Sequence, residues 1–302
     1  MTANIQKNKV LAVVGPTASG KTSLSIALAH KFNGEVISAD SRQIYRGLDI
    51  GTGKATAEEQ QGVPHHLLDI RDIGEKYNAA EFSRDADKII TDIVNRNKLP
   101  IVAGGTFFYL DNLRGRSITA PVPPNPELRA KLETFSTEQL FAKLQNKDPE
   151  YSQKIDRHNK RKLIRALEIV KELGKVPPPQ IKPSPYAWLI IGLEVDKDKL
   201  LENFARRLDE WLERGFVDEV RGLLAAGLTQ DELRELGFEY TLMTEYLNGN
   251  VTLSELKEKF IQKNWQYAKR QMTWLKQDQE IKWFKPEDRE AVFRLVTDFL
   301  HP

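Results

Sequence analysis

Gly15-Pro-Thr-Ala-Ser-Gly-Lys-Thr22 follows directly after the apolar run Val10-Leu-Ala-Val-Val14, near the start of this 302-residue chain. The eight residues match the pattern G-x-x-x-x-G-K-[ST], which folds as a phosphate-binding loop when a strand precedes it. The two glycines let backbone N–H groups turn toward an anion, and the helix that follows adds the positive end of its dipole. The stretch therefore predicts a protein that binds a phosphorylated molecule.

Two side chains at the end of this loop are suited to phosphate chemistry. Lys21 stands where an ammonium group reaches the outer phosphate of a ligand, and the hydroxyl of Thr22 stands where it ligates Mg²⁺. The alternative is a glycine-rich turn that matches by accident, and the strand-like run in front of the loop argues against it.

Short apolar runs alternate with helical stretches, which is typical of an α/β protein. Strands are expected near Val10–Val14, Glu35–Ser38 and Leu99–Ala103, and strand character returns over Trp188–Val195. This order predicts a P-loop-type doubly wound parallel sheet.

Two proline-rich segments interrupt the alternation and enclose a helical insertion domain. They are Ala120-Pro-Val-Pro-Pro-Asn-Pro126 and Val176-Pro-Pro-Pro179, the second followed by Pro183 and Pro185. We therefore expect a first part of the core domain over residues 1–119, the insertion over 120–183, and a second part of the core with C-terminal helices over 184–302.

Two helices have recognisable ends. Gly174, followed by Pro177, is suited to end the last helix of the insertion. Thr252 and Glu255 match a capping box, from which a helix is expected to run to about Leu275.

Composition excludes several classes of protein. The chain has no cysteine, so disulfides, thiolate nucleophiles and cysteine-ligated metals are excluded. No apolar run approaches the roughly 18 residues that cross a bilayer, and the N-terminal residues lack the apolar centre of a signal peptide. We expect a cytoplasmic monomer with no membrane partner.

The net charge of +2 conceals two basic segments. Residues 151–185 carry nine basic against three acidic side chains, and residues 254–285 carry eight against four. This segregation favours an anionic partner larger than one small phosphate, although a solvated basic face remains open for either segment.

Two familiar phosphate chemistries lack their motifs. A GTPase would carry N-K-x-D, and Asn146-Lys147-Asp148 lacks the intervening residue. An ATPase would carry a carboxylate after an apolar strand, whereas the strand expected at Leu99–Ala103 is followed by Gly104-Gly-Thr106.

Asp40 is the acidic residue best placed for chemistry. It follows the strand expected at Glu35–Ser38, so in an open α/β sheet it would face the same crevice as the phosphate-binding loop. A carboxylate there can act as a general base. Capping of the next turn by Asp40 is the alternative.

With these motifs in place, the chain resembles the tRNA dimethylallyltransferase (tRNA isopentenyltransferase) family. Eight blocks carry the resemblance in the family's order: GPTASGKT from Gly15, SADSRQIYRGLDIGTGK from Ser38, PHHLLDI from Pro64, AGGT ending at Thr106, PELR ending at Arg129, RKLIRALEI from Arg161, RRLDEWLERGFVDEV from Arg206 and YAKRQMTW from Tyr267. They cover nearly the whole chain.

The resemblance implies transfer of a dimethylallyl group from dimethylallyl diphosphate to the exocyclic amine of the adenosine immediately 3′ of the anticodon (position 37) in tRNA. Mg²⁺ would assist and diphosphate would be released. Asp40 would be the catalytic base, while Thr106 and Arg207, with Lys21, would neutralise the departing diphosphate. Thr22 would ligate the metal.

The resemblance also assigns binding residues. Diphosphate binding falls on Gly15, Thr17, Ala18, Ser19, Gly20, Lys21 and Thr22. Binding of the tRNA anticodon arm falls on Asp40, Ser41, Arg42, Gln43, Thr106, Arg129, Arg161, Lys162, Arg165, Lys269, Arg270 and Gln271.

Plainer alternatives remain for several of these residues. Thr106 would be a strand-end cap, and Arg207 would pair with Glu210 or Glu213 on its own helix. The aromatic residues flanking Lys269-Arg-Gln271, which are Trp265, Tyr267 and Trp274, are expected to pack in the core rather than stack on bases.

The chain departs from the family's pattern at three places. Phe107-Phe108 follows Gly-Gly-Thr where glycine is frequent, Gly237-Phe-Glu-Tyr240 has an acid where many members have a cation, and Asn264-Trp265 replaces Thr-Arg.

Three other functions are considered. An adenylate isopentenyltransferase would act on a free nucleotide and would not require a basic insertion. A small-molecule kinase using ATP would leave most of the eight blocks unexplained, and a non-catalytic RNA-binding protein would not require both Lys21 and Asp40.

Overall fold

The computed structural model describes residues 7–116, 120, 122–178 and 181–302. Pro121 and Pro179 of the proline-rich segments, and the predicted domain boundary at residue 119, lie outside the described residues. The strands are β1 (Lys9–Val14), β2 (Gly34–Ser38), β3 (His65–His66), β4 (Leu99–Ala103), β5 (Ala187–Leu193) and β6 (Ile281–Phe284). The helices are α1 (Lys21–Phe32), α2 (Ala57–Gln60), α3 (Ala79–Asn95), α4 (Phe107–Leu113), α5 (Pro126–Glu133), α6 (Thr137–Lys147), α7 (Pro149–Ser152), α8 (Lys160–Leu173), α9 (Lys197–Glu213), α10 (Phe216–Ala225), α11 (Gln230–Leu236), α12 (Phe238–Leu247), α13 (Leu253–Leu275) and α14 (Arg289–Leu300).

The strands form one sheet in the order β3-β2-β4-β1-β5-β6, and every neighbouring pair is parallel. The predicted α/β fold with a doubly wound parallel sheet is therefore confirmed. Strands β3 and β6 were not predicted, because two and four residues at the edges of a sheet give too little apolar pattern to recognise.

Strand β1 shows why the central strands are apolar throughout. Val10, Ala12 and Val14 are buried in one hydrophobic cluster, while Leu11 and Val13 are buried in another. Successive side chains of a strand point to opposite faces, and here helices cover both faces. Residues facing either side of the sheet are therefore apolar. The strand appears in the sequence as a continuous apolar run and not as an alternation of apolar and polar residues.

Each face of the sheet has its own helix layer. Phe82 and Ile90 of α3 belong to the cluster on one face, and Leu28 of α1 with Val292 of α14 belongs to the cluster on the other. A third cluster is formed mainly by α9, α10, α12 and α13, with Phe204 and other aromatic residues at its centre. This third cluster fixes the helices that reach the phosphate loop (residues 15–22).

The chain divides into two compact units. One contains the residues up to Arg114 together with Ser184–Pro302, and the other is Gly115–Pro183. The second unit contains α5 to α8 and has its own core, which includes Leu140 and Leu163.

The predicted helix ends are confirmed. Gly174, at a φ of 78°, is the C-cap of α8. Thr252 caps α13 through a capping box with Glu255, and the helix ends at Leu275. Within the described ranges, no helix is both long and apolar enough to cross a membrane.

A buried carboxylate anchors the start of β2. Glu35 accepts hydrogen bonds from Arg96 and, at 2.8 Å, from Lys98, and His66 Nε2 lies 2.7 Å from its other oxygen. The hydrogen bonds from Arg96 hold the pKa of Glu35 well below its usual range. The charged form of Glu35 therefore stabilises this end of the sheet.

Glu35→Gln is expected to lower the free energy of unfolding by about 2 kcal/mol, because charge-assisted hydrogen bonds to Arg96 and Lys98 are lost. Asp92→Asn is the matched control: Asp92 also pairs with Arg96, at 2.9 Å, but at the surface. It should change stability by less than about 1 kcal/mol. Denaturant titration of both variants measures the difference, and equal losses would contradict the prediction.

Candidate active site

The site lies where β1, β2 and β4 end. Because these strands are parallel neighbours, their carboxyl ends meet at one edge of the sheet. The phosphate loop follows β1, Asp40 follows β2, and Gly104-Gly-Thr106 follows β4. The predicted catalytic and phosphate-binding residues of these segments are thus brought to the same edge.

The phosphate loop is shaped by its two glycines. A Cβ on Gly15 would lie 2.9 Å from the carbonyl oxygen of Leu193, so the loop approaches β5 too closely for a side chain. Gly20, at a φ of 88°, is the N-cap of α1, and it has no side chain to cap the helix. The first N–H groups of α1 are therefore suited to an anion.

Lys21 turns back into this loop. Its ammonium group donates to the carbonyl oxygens of Gly15 at 3.0 Å and Pro16 at 2.7 Å. Burial and the nearby Arg207 together lower the pKa of Lys21 to about 7, against the opposing effect of Asp40. The ammonium form is therefore poorly stabilised until an anion enters the loop.

Arg207 reaches the same loop from α9. Its Nη1 donates to Thr17 Oγ1 at 2.9 Å, and burial lowers the pKa of its guanidinium. The alternative pairing with Glu210 or Glu213 is not what the structure shows: in the described chain, Arg206 is the residue that pairs with Glu210. The Arg207 guanidinium instead adds a second positive charge to the loop.

Lys21 and Arg207 form no ion pair within the part of the chain that the structure describes. Ser19 Oγ, in the same loop, is buried and makes no hydrogen bond within the described chain. Lys21 and Arg207 are half-buried and Ser19 is buried, and groups withdrawn from water in this way are normally paired, so the three together mark a site for an anionic ligand.

One oxygen of Asp40 is available for chemistry. Its Oδ1 accepts a hydrogen bond from the backbone N–H of Arg42 at 3.0 Å. No described residue donates a hydrogen bond to its Oδ2. Capping of the turn therefore engages only Oδ1 of this carboxylate, and Oδ2 can accept a proton.

Thr106 holds the segment that carries Asp40. A Cβ on Gly104 would overlap the Ala39 carbonyl group, so only glycine allows the two strand ends to approach. The N–H of Thr106 then donates to the Ala39 oxygen at 3.0 Å, and its Oγ1 accepts from the N–H of Ser41 at 3.0 Å. The Thr106 hydroxyl does not cap α4.

The next two residues of this turn are also engaged with protein. Arg42 forms a two-point ion pair with Glu239, and Gln43 accepts from Ser38 Oγ at 2.9 Å and donates to the Gly53 oxygen at 3.2 Å. The segment from Asp40 to Gln43 is therefore held from several sides, and its predicted contacts with tRNA stay predictions.

Gln271 joins two segments of the site. Its side chain is 5% exposed, accepts from the N–H of Thr17 at 2.8 Å and donates to the Gly105 oxygen at 3.2 Å. Its predicted role in tRNA binding stays a prediction, while these contacts position the loops. Sequence reasoning missed this contact, because Gln271 and Thr17 are 254 positions apart.

The residues around Gln271 differ in exposure. Lys269 and Arg270 are exposed, and the guanidinium of Arg270 lies 5.7 Å from the ring centroid of Tyr267. The expectation of core packing is wrong for Trp274, which is 47% exposed and donates to Asp111 at 3.0 Å.

The four basic residues predicted in the insertion fall into two pairs. Arg129 donates to both oxygens of the buried Glu168, at 2.8 and 2.7 Å. Arg165 donates to Glu168 at 3.3 Å and to the Val122 oxygen at 2.7 Å. These two guanidinium groups hold the insertion together, which composition could not reveal.

Arg161 and Lys162, by contrast, are exposed at the start of α8. Neither forms an ion pair with another described residue. Of the four predicted contacts with tRNA, these two have charge available for phosphate groups.

The predicted metal ligand also fits its role. The Thr22 side chain is exposed in the first turn of α1, and its hydroxyl makes no hydrogen bond to any described residue. One hydroxyl suits Mg²⁺, which is usually bound by few protein ligands together with ligand phosphates and water.

The class of protein that these features define is a phosphate-loop transferase. It has a parallel sheet, an anion site at the phosphate loop and an available carboxylate oxygen beside that site. The sequence profile of the family described as IPP transferase matches residues 43–278. The chain belongs to this family.

Named relatives are similar along nearly their whole length. A tRNA dimethylallyltransferase of Halalkalibacterium halodurans is 41% identical over 93% of this chain and 92% of its own, and one of Anoxybacillus flavithermus is 38% identical over 97% and 95%. The crystal structure of full-length tRNA isopentenylpyrophosphate transferase from Bacillus halodurans matches with a TM-score of 0.71, 37% identity and coverage of 97% and 96%. A eukaryotic dimethylallyltransferase acting on tRNA matches with a TM-score of 0.84, 28% identity and coverage of 97% and 79%.

The pKa of Lys21 predicts a pH dependence of anion binding. The ammonium form predominates below about pH 7, so affinity for inorganic diphosphate should fall as pH rises through that value. At about pH 8 binding should take up a proton, because the bound anion raises the pKa of Lys21.

Isothermal titration calorimetry without Mg²⁺, in two buffers of different ionisation enthalpy, measures this uptake. Lys21→Met should remove the proton uptake by the lysine, so that only the proton uptake by diphosphate itself remains. Identical proton uptake by both proteins would contradict the assignment.

Proposed function

We propose that this protein transfers a dimethylallyl group from dimethylallyl diphosphate to the exocyclic amine of the adenosine immediately 3′ of the anticodon in tRNA. One observation carries the proposal: Lys21 and Arg207, which have no ion-pair partner among the described residues, line the phosphate loop, and Oδ2 of nearby Asp40 accepts no hydrogen bond from those residues. Relatives named for this activity support it.

The phosphate loop holds the leaving group in this proposal. The loop N–H groups, Lys21 and Arg207 contact the diphosphate, whose negative charge grows as its bond to the dimethylallyl carbon breaks. Donors that are already in place stabilise such charge without reorganisation. The hydroxyl of Thr22 would hold Mg²⁺, which would supply further positive charge against that of the leaving diphosphate.

Asp40 acts on the acceptor. As the adenine amine attacks the dimethylallyl carbon, a C–N bond forms and the C–O bond to diphosphate breaks, with its electron pair leaving on diphosphate. Oδ2 of Asp40 takes the proton that the amine loses. Thr106 does not take part in the proton transfer. Its hydroxyl accepts a hydrogen bond from the N–H of Ser41 and so holds the turn that carries Asp40 in place.

Exposed basic residues bind the RNA in this proposal. Arg161 and Lys162 on α8, with Lys269 and Arg270 on α13, contact phosphate groups of the anticodon arm. The target base lies in a single-stranded loop, where it can leave its stack at little cost in free energy. Arg129 and Arg165 contribute indirectly through the insertion's core.

The test is a labelling experiment with purified protein, Mg²⁺ and radiolabelled dimethylallyl diphosphate. Unmodified tRNA and AMP are offered in separate reactions. Label in tRNA alone supports the proposal, whereas label in AMP supports the adenylate enzyme. If neither acceptor is labelled, the proposal fails, and phosphate transfer from labelled ATP tests the kinase.

Asp40→Asn is expected to lower turnover about a hundredfold or more while tRNA affinity stays nearly unchanged, because a general base acts in the transition state. Asp72→Asn is the control, since Asp72 pairs with Arg46 at the surface. Single-turnover kinetics and a binding assay separate the two effects. Near-normal turnover of Asp40→Asn would remove this residue from the mechanism.

Arg161→Ala should weaken tRNA binding and reduce the slope of log affinity against log salt by about 0.7 to 0.9, as expected for one lost phosphate contact. Lys171→Ala, at the other end of α8, makes the same change of charge and should leave the slope unaltered. Binding measured over a range of salt concentrations checks both. An unaltered slope in Arg161→Ala would assign this residue to a solvated surface.

A further inference from the structure

An ion pair between the partly buried Arg42 and the buried Glu239 lies beside the proposed base. Nη1 and Nη2 of Arg42 lie 2.5 and 3.1 Å from the two oxygens of Glu239, so the pair is bidentate. The Glu239 side chain is 3% exposed. Such geometry fixes the plane of the guanidinium as well as its position.

Glu239 supplies the counter-charge of Arg42 in this enclosed place. Burial acts to lower the pKa of Arg42, but the attraction of Glu239, together with that of Asp40, outweighs it and raises the pKa. Glu239 lies in the first turn of α12, where the helix dipole favours a carboxylate. The charge of Arg42 is thus compensated within the protein.

The residue before α12, Gly237, leaves room for this ion pair only because it has no side chain. A Cβ on Gly237 would overlap Nη1 of Arg42 and would lie 2.7 Å from Oε2 of Glu239. Any larger residue would displace the ion pair.

Arg42 connects this pair to the proposed catalytic base. Its backbone N–H donates to Oδ1 of Asp40, while its side chain is fixed by Glu239. Arg42 is thus held at its backbone by Asp40 and at the end of its side chain by Glu239, so losing the ion pair removes one restraint on the turn that presents this N–H. The orientation of Oδ2 therefore depends on α12, although Glu239 makes no contact with Asp40.

We infer that Glu239 is a positioning residue, which orients Asp40 through Arg42 and keeps the Arg42 guanidinium from binding an RNA phosphate. The inference rests on the proposed function, because Asp40 is the base in that reaction. It assigns Arg42 a role different from the tRNA contact that its motif predicts.

Four variants test this inference. Arg42→Met and Glu239→Leu each leave one buried charge unpaired, whereas the double variant replaces both charges with apolar groups. Glu245→Gln is the matched control, because Glu245 also lies on α12 but pairs with Lys259 at the surface, at 3.6 Å. For each protein, melting temperature, kcat, KM for tRNA and the salt dependence of tRNA binding are measured.

The single variants are expected to melt at lower temperature, because an unpaired buried charge is unfavourable. The double variant should recover most of the melting temperature and still have a kcat lower by about tenfold or more, since a misoriented base costs rate rather than stability. KM for tRNA and the salt slope should match those of the unsubstituted protein in Arg42→Met and in the double variant, whereas Glu239→Leu frees the Arg42 guanidinium and should steepen the slope. Glu245→Gln should change none of these quantities.

Two results would overturn the inference. Recovery of kcat together with melting temperature in the double variant would show that the pair only stabilises the fold. A salt slope smaller by about 0.7 in the double variant would show that Arg42 binds a phosphate.

The same experiment separates this inference from the proposed function. If the unsubstituted protein transfers label to tRNA and the double variant does so at the same rate, only the inference fails. If the unsubstituted protein labels no tRNA, the proposed function fails and the inference fails with it.

Discussion

The parallel pairing of β1, β2 and β4 is the constraint on which the site depends, because it brings three strand ends to one edge of the sheet. Pairing alone would not join the loops that follow. Gly104 allows the end of β4 to approach Ala39, and Thr106 then binds the turn that carries Asp40. Gln271 connects the β4 side of the site to the phosphate loop. The arrangement of the site is thus a consequence of strand pairing, of the close backbone approach at Gly104, and of the uncharged side chains of Thr106 and Gln271.

The distribution of counter-ions separates structural from functional cations. Arg42, Arg129 and Lys54 are each paired with carboxylates, so their charges are compensated inside the protein. Lys21 and Arg207 have no such partner in the described chain, and burial lowers the pKa of both. An uncompensated buried charge is unfavourable in the free protein. An anionic ligand would remove this penalty, so the free energy of its binding would include the stability that the empty loop lacks.

Sequence patterns predicted what depends on neighbouring residues. The phosphate loop, the central strands, the C-cap at Gly174 and the capping box at Thr252 are each encoded within a few positions. The sequence could not place Gln271 against Thr17 or Glu239 against Arg42, because those contacts depend on how distant helices pack on the sheet. One signal was available: Glu168 lies three positions after Arg165, a spacing at which oppositely charged residues meet on a helix.

The basic insertion shows why composition overestimates a nucleic-acid surface. Its count of cations predicted an anionic partner, yet Arg129 and Arg165 are bound to Glu168 and only some of the remaining charges are exposed without a partner. A guanidinium that is already paired releases no counter-ion from RNA, so it adds little to affinity or to salt dependence. What it does add is rigidity: Glu168 joins α5 to α8, and the first turn of α8 presents Arg161 and Lys162 from a fixed position. Recognition of a folded RNA by shape requires such fixed positions more than it requires a large number of charges.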